Sequence, residues 1–303
     1  MLVRRTVAKP NDAERVKMSE QRTRGELMVV ATPLGNLGDL SRRALELLTV
    51  ADAIYCEDTR HSRTLFSANN IAPAGRLHAL HEHNEASQCA EVCDRVARGE
   101  LVILISDAGT PGISDPGSRV VAAVAEAGLR VSTAPGPSAV IAALSISGLP
   151  TERFCMEGFV PRKAGERQAL YDLWASEQRT IVFYESPQRL ATTLGELAER
   201  FPGRRVAIAR EITKLHEEVL RGTLADVAAQ IAQRDVLGEI VGVLEGALPA
   251  PLIGEEAVRA ALTDQLTHGA SVRDAVNEVV EALGVSHRDT YELALEVRAS
   301  LRS

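Results

Sequence analysis

The residues best suited to chemistry lie in three short loops that combine glycine, proline and small polar side chains. They are Ala31-Thr-Pro-Leu-Gly-Asn-Leu-Gly38, Ser106-Asp-Ala-Gly-Thr-Pro-Gly112 and Ala134-Pro-Gly-Pro-Ser-Ala139. Glycine lets backbone approach a bound molecule closely, and proline fixes the path of a loop without leaving a donor to satisfy. Each loop follows a run that reads as a strand, and in open α/β sheets ligands sit beyond the carboxyl ends of strands. One such loop is ordinary turn chemistry, whereas three in succession point to a shared ligand site. The chain has no GxxxxGK[ST] motif, Gly35-x-x-Gly38 falls short of GxGxxG, and no lysine occurs between Lys17 and Lys163. Pyrophosphate recognition is therefore poorly supported. Asp107, backbone groups and small hydroxyls suit a ligand carrying an amino acid, a ribose and an adenine better than a triphosphate.

These loops need a scaffold, and the hydrophobic pattern supplies one. Strands are expected at Glu26–Ala31, Ala53–Cys56, Leu101–Ser106 and Arg130–Ala134. They alternate with helices at Leu40–Val50 (with Asp39 as N-cap), Ala86–Gly99, Gly117–Gly128 and Ser138–Ser147. That alternation predicts a largely parallel sheet covered by helices. Leu101–Gly117 in particular reads as a buried strand opening into a ligand-contacting loop. Gly148-Leu149-Pro150 interrupts the pattern and marks a domain boundary. Beyond it, strands are expected at Arg153–Phe159, Thr180–Tyr184, Arg205–Arg210 and Gly238–Leu244, with helices at Glu166–Ser176, Gln188–Arg200 and Leu224–Arg234. After Ala250-Pro251 the pattern is wholly helical. Val272, Ala275, Val276, Val279, Val280 and Leu283 fall on one helical face, Ser271 is placed to cap that helix, Gly284 to end it and Ser286 to cap the next.

Composition narrows the class. The chain has 303 residues, 45% hydrophobic and 25% charged, as in ordinary globular proteins. No apolar run approaches the roughly 18 residues of a membrane helix, which predicts a soluble protein. Cys56, Cys89, Cys93 and Cys155 have no metal-like spacing and are too few for a disulfide framework, so free thiols in a reducing cytoplasm are expected. Residues 1–24 carry seven Lys or Arg against three acidic residues, leaving the rest of the chain at a net charge of −11. They read as a disordered basic arm, or as the product of a start codon placed too early, because a secretory core is missing and Asp12, Glu14 and Glu20 argue against a transit peptide. The expected organisation is an arm at 1–24, α/β domains at 25–149 and 150–248, and a small helical domain at 249–303. With so acidic a body, any nucleic acid would have to be met by local arginine clusters rather than by overall charge.

The runs VATPLGNLGDLSRRAL, EDTRHSRTLF, SDAGTPGISDPG, APGPSAVIAALSISGLP, FVPRK and FYESPQRL together resemble the tetrapyrrole-methylase superfamily. Within it they resemble the group that methylates small-subunit ribosomal RNA, from about Leu27 to about Leu293. The resemblance implies two α/β domains with S-adenosyl-L-methionine bound in a cleft between them, and a homodimer. It further implies methylation of the ribose 2′-hydroxyl of a decoding-centre cytidine in 16S rRNA of the assembled small ribosomal subunit. Carried over by position, it points to donor contacts from Pro33, Gly35, Asp107, Ala108, Gly109, Thr110, Pro137, Ser138 and Ala139. In the second domain it points to Phe159, Ala209, Gly238 and Glu239.

The donor's sulfonium is already activated, so the protein mainly has to align three atoms. A ribose hydroxyl is nonetheless a poor nucleophile until its proton is lost, which calls for a base. By motif position the candidates are Glu57, Asp58, Glu85 and Asp115, with Lys214 as a polarising group. Each also has an ordinary structural role available, as a salt bridge or a helix cap. His78, His81 and His83 are spaced too loosely for a metal site, and methyl transfer needs none; a polar or RNA-facing role is expected for them. RNA contacts are expected from Arg60, Arg63 and Arg76, from Arg162, Lys163 and Arg167, and from Gln188 and Arg189, since arginine offers phosphates a planar fork and bases a stacking face. The alternatives are a corrin or porphyrin C-methyltransferase of the same fold, a non-catalytic ribosome-binding protein, and a nicotinamide oxidoreductase. The EDTR and HEHNE segments and the helical tail speak against the first, the three loops against the second, and the missing phosphate fingerprint against the third.

Overall fold

The computed structural model describes residues 25–73, 75–248 and 254–301. The basic arm expected at 1–24 lies outside them. The chain divides into one compact unit ending at Ala247 and a second from Leu248 to Ser303.

The first unit holds two five-stranded sheets. In the first, β1 (Glu26–Val30), β2 (Ala53–Cys56), β3 (Leu77–Ala79), β4 (Leu101–Leu104) and β5 (Arg130–Ala134) run parallel in the order β3-β2-β4-β1-β5. Successive strand residues face opposite sides, so the apolar runs are divided between two cores. Met28, Val30, Ile54, Leu101 and Ile103 pack against Leu47 and Leu48 of α1 (Arg42–Val50) and Phe66 of α2 (Thr59–Ala68). Leu27, Tyr55, Val102 and Leu104 meet Val92 and Val96 of α3 (Glu85–Ala97) and Val120 and Val124 of α4 (Ser118–Glu126). Burial on both faces is why β2 and β4 read as continuous apolar stretches.

The second sheet is mixed. Its order is β6-β7-β10-β8-β9, from β6 (Phe154–Phe159), β7 (Thr180–Glu185), β8 (Arg205–Arg210), β9 (Glu218–Thr223) and β10 (Ile240–Leu244). Only β6 and β7 are parallel; β10 runs antiparallel to both its neighbours, and β8 to β9. One face is covered by α6 (Ala164–Ser176), α7 (Pro187–Arg200) and α8 (Leu224–Ile231), around Tyr171, Trp174, Phe183, Leu194 and Val227. The other face is covered by α5 (Ala139–Ser147), whose Val140, Ala143 and Leu144 meet Val182, Ala207, Val241 and Val243. The helix just before the expected boundary at Gly148–Pro150 therefore belongs to the core of the sheet that follows it.

Two local features differ from expectation. Ser41, not Asp39, caps α1, its hydroxyl accepting from the Ala44 N–H at 3.1 Å, while Asp39 ends a single 3-10 turn. The segments forming α2, β3 and β9 had no expected element, because each is short or interrupted by charge. In the second unit, α9 (Glu255–Thr267), α10 (Val272–Leu283) and α11 (His287–Ser300) enclose Leu262, Ala275, Val276, Val279 and Ala294. Ser271 caps α10 through the Asp274 N–H, and Gly284 ends it with φ 64°. Ser286 occupies the N-cap of α11 without a side-chain cap bond. Among the described residues no helix is long and apolar enough to cross a membrane. All four cysteines are free thiols.

Candidate active site

The three glycine- and proline-containing loops leave the carboxyl ends of β1, β4 and β5, which in a parallel sheet lie side by side. They are also bonded to one another. The Thr32 and Gly109 backbones exchange two hydrogen bonds, at 2.9 and 3.0 Å, and the buried Thr32 hydroxyl donates to the Ser106 carbonyl at 3.1 Å. The Thr110 hydroxyl then donates to the Pro137 carbonyl at 3.0 Å. One frame thus carries all three loops.

Against this frame opens a mostly apolar cavity of about 400 Å³, a size typical of small-molecule sites. The first sheet contributes Leu34, the runs Asp107–Thr110 and Ile113–Asp115, and Ser138 and Ala139. The second contributes Phe159, Tyr184–Pro187 and Gly238–Val241. Nine expected donor residues line it: Asp107, Ala108, Gly109, Thr110, Ser138, Ala139, Phe159, Gly238 and Glu239. Four do not. Pro33 is buried beside Leu34, which takes its place in the wall. Gly35 lies against the aliphatic stem of Lys214, where a side chain would collide. Pro137 contributes its carbonyl to the frame. Ala209 is buried in β8 opposite Val241, so its β10 neighbour reaches the cavity instead.

Sequence reasoning missed Leu34, Ile113, Ser114, Tyr184, Glu185, Ser186, Pro187, Ile240 and Val241 as lining residues. The ESP turn after β7 was the available signal for three of them. Tyr184 packs against Phe159 with ring centroids 5.2 Å apart, and Phe159 remains 59% exposed, open to a flat ligand.

The proposed bases separate clearly. Asp115 lines the cavity, and its carboxyl is pushed up to about 6, first by burial and then by the charges of Glu57 and Asp107; a bond from the Ser106 hydroxyl works the other way. Glu57 is also raised, by burial and by Asp107 and Asp58, but does not reach the cavity wall. Asp58 is the N-cap of α2; its carboxylate accepts from the Arg60 backbone at 2.7 Å and pairs with the Arg60 guanidinium, which lowers its pKa. Lys214 bridges Glu211 at 3.0 Å and Glu239 at 3.1 Å. Burial works against its charge, but these carboxylates outweigh it and hold the ammonium above its ordinary value. Glu85 is turned inward, one carboxylate oxygen accepting from the Gly117 and Arg119 backbones at 2.9 and 2.8 Å. The Tyr184 phenol, half-buried and facing Asp115 and Glu239, is pushed up to about 12 by the loss of water around it and by those two charges.

The basic residues also divide. Arg60, Arg63, Arg162 and Lys163 are exposed, Arg60 beside Asp58 and Lys163 beside Glu166. Arg189, expected in the RNA set, is engaged within the fold. Its guanidinium pairs with the fully buried Glu185 carboxylate at 2.5 Å and donates to the Val160 carbonyl at 2.8 Å, because a buried charge needs a partner. Arg76 and Arg167 are likewise engaged: Arg76 by carbonyls at the end of α1, Arg167 by Glu196. His78 stacks on Tyr55 at 4.9 Å, apart from the His81–His83 pair.

Two α/β layers with a cavity at the ends of parallel strands define a class, and comparison with known proteins gives it a name. Residues 26–228 match the model of the Tetrapyrrole (Corrin/Porphyrin) Methylases, and the chain belongs to this family of S-adenosyl-L-methionine-dependent methyltransferases. Among its curated relatives is the ribosomal RNA small subunit methyltransferase I of Mycobacterium tuberculosis (strain CDC 1551 / Oshkosh), 45% identical over 90% of this chain and 96% of the relative. The proteins of that name from Synechocystis sp. (42% identical, 91% of this chain and 99% of theirs) and Xylella fastidiosa (48%, 74% and 83%) are similar to it as well. Solved structures share the fold: the methyltransferase CobJ (TM-score 0.55, 22% identical, covering 74% of this chain and 95% of that one) and the uroporphyrin-III-C-methyltransferase of Thermus thermophilus (0.51, 23%, 73% and 94%).

Proposed function

We propose that this protein transfers a methyl group from S-adenosyl-L-methionine to the ribose 2′-hydroxyl of a decoding-centre cytidine in 16S rRNA, acting in the cytoplasm on the small ribosomal subunit. The observation that carries the chemistry is the cavity held by three cross-bonded loops. It fits the donor: an apolar wall of Leu34, Ile113, Ile240 and Val241 suits an adenine, and Asp107, the Thr110 hydroxyl and nearby backbone groups suit a ribose and an amino acid. The donor supplies an electrophilic methyl on a good leaving group. The chain's residues hold it, exclude water and accept a proton. The choice of RNA over a tetrapyrrole is supported by relatives of 42–48% identity named for ribosomal RNA. Exposed Arg60, Arg63, Arg162 and Lys163 are the proposed phosphate contacts. A homodimer is part of the proposal, supported by Ile141 and Ile146, which are exposed on α5 although Val140, Ala143 and Leu144 of the same helix are buried.

The test is incubation with tritiated donor and three acceptors: undermethylated small subunits, free rRNA and a porphyrinogen. Label is expected in the subunits, at a ribose that then resists alkaline cleavage. Label only in the porphyrinogen would replace this reading by the C-methyltransferase. No label anywhere, with no donor binding by calorimetry, would remove the methyltransferase assignment.

A further inference from the structure

We propose that Asp115 is the residue that takes the proton from the acceptor hydroxyl, and that Glu85, reaching across from α3, is the positioning residue that holds it there. The inference rests on the methyl-transfer reading above. Of the five candidates Asp115 alone lines the cavity; Asp58 caps a helix, Lys214 is paired with two carboxylates, Glu85 is bound to two backbone N–H groups, and Glu57 is not among the lining residues. The loop carrying Asp115 is tightly wound: Gly109, Gly112, Ser114 and Gly117 all have positive φ, and Ser114 has no glycine's excuse for it, at 60°. A conformation disfavoured for an ordinary side chain persists only where its surroundings impose it. The buried Glu85 carboxylate fixes the far end of this loop, accepting from the Gly117 and Arg119 N–H groups two and four residues beyond Asp115. Gly117 itself admits no substitute, since a β-carbon there would lie 2.6 Å from Leu104 Cδ2 at a φ of 128°.

The groups facing Asp115 are Glu57 after β2, Asp107 on its own loop, Tyr184 on β7 and the Ser106 hydroxyl. The ionisable ones are acidic or neutral at pH 7, so the carboxyl is a stronger base than an exposed aspartate. Asp115 removes the hydroxyl proton as the new O–CH3 bond forms; the S–CH3 bonding pair stays on sulfur, neutralising the sulfonium, and Asp115 then passes its proton to water.

The experiment uses the full chain, undermethylated small subunits and tritiated donor across pH 5–9. It adds donor titration by calorimetry and 13C NMR titration of the aspartate carboxyls in ligand-free protein. Asp115→Asn should lower kcat by about 10²–10³-fold, leave donor Kd within threefold and abolish the rising limb of the pH profile near pH 6. Glu85→Ala should lower kcat about tenfold and move the midpoint of that limb. Glu85→Gln, whose amide oxygen still accepts from both N–H groups, should restore most of the rate. If Glu85→Ala does not fold, Glu85→Asp, which draws the oxygen back by one carbon, takes its place in the comparison. Asp115→Asn activity within threefold of the parent, or an Asp115 carboxyl titrating below pH 5, overturns the assignment of the base. An unmoved midpoint in Glu85→Ala, or equal impairment in Glu85→Gln, overturns the positioning role. If the unaltered protein labels no acceptor, the functional reading fails, while the NMR titration still decides the state of Asp115.

Discussion

Asp115 has a stability signature as well as a proposed chemical one. Its folded carboxyl titrates near 6, above the ordinary value of 3.8. Below about pH 4 both folded and unfolded chains hold the proton and the residue is neutral to stability. Between the two values the folded state binds more protons, so stability falls as pH rises and levels off above about 6. Discounted for the water that still reaches this half-buried group, the loss is about 1 kcal/mol. Asp115→Asn should therefore raise the Tm by a few degrees at pH 8 and leave it unchanged at pH 4, as thermal melts at the two pH values would report. Asp107 is expected to behave differently. Its carboxylate faces the cavity and accepts from the Asp58 N–H at 3.2 Å, so Asp107→Ala should weaken donor binding by about tenfold, measured by calorimetry. Both residues were visible in the sequence, because glycine and proline flag the loop that carries them. Glu85 and Arg189 were visible only as charges. Glu85 reaches Gly117, 32 residues on, and Arg189 reaches the Val160 carbonyl, 29 residues back; no local spacing encodes either bond, although the Arg189–Glu185 pair is itself an i,i+4 contact.

Among the elements, the turn from β7 into α7 shows how a buried charge is used to fix a wall of the cavity. The Glu185 carboxylate accepts from the Ser186 N–H at 2.6 Å and the Thr193 hydroxyl at 2.7 Å, and pairs with Arg189. Arg189 in turn ties down the Val160 carbonyl, just after Phe159. Arg189→Ala would leave Glu185 charged and without its cation, which costs about 3–5 kcal/mol for a buried pair. Urea unfolding should register that loss, and donor affinity should fall with it as Phe159 loosens. An exposed RNA-contacting arginine would show neither effect. The central strands β2 and β4 of the parallel sheet were legible because strands buried on both faces are apolar throughout, whereas the short edge strand β3 was not. The mixed sheet was legible in four of its five strands but not in its order, since the antiparallel placing of β10 between β7 and β8 depends on long-range pairing. The edge strand β9 carries Glu218 and Arg221, and such charges mask a strand while protecting its open edge.

At the level of the whole molecule, every residue lining the cavity precedes Ala247, and the C-terminal helices have a core of their own. A chain ending at Ala247 should therefore fold and bind donor with a Kd within threefold of the full protein, by circular dichroism and calorimetry. Loss of donor binding in that variant would show that the helices contribute to the site. The division of the first unit is less separable than its two sheets suggest, because α5 is encoded with the first and packed into the second. A protease or a split-protein design that cut at Gly148 would leave the amino-terminal piece carrying a nine-residue helix, AVIAALSIS, with no surface to cover it. Such a fragment would be adhesive rather than merely incomplete, and the two pieces would recombine only through that helix. For the ribosome-bound cell, the consequence is one of manufacture. An amino-terminal sheet finished early in synthesis must keep α5 waiting until the last strand of the second sheet, β10, has left the exit tunnel.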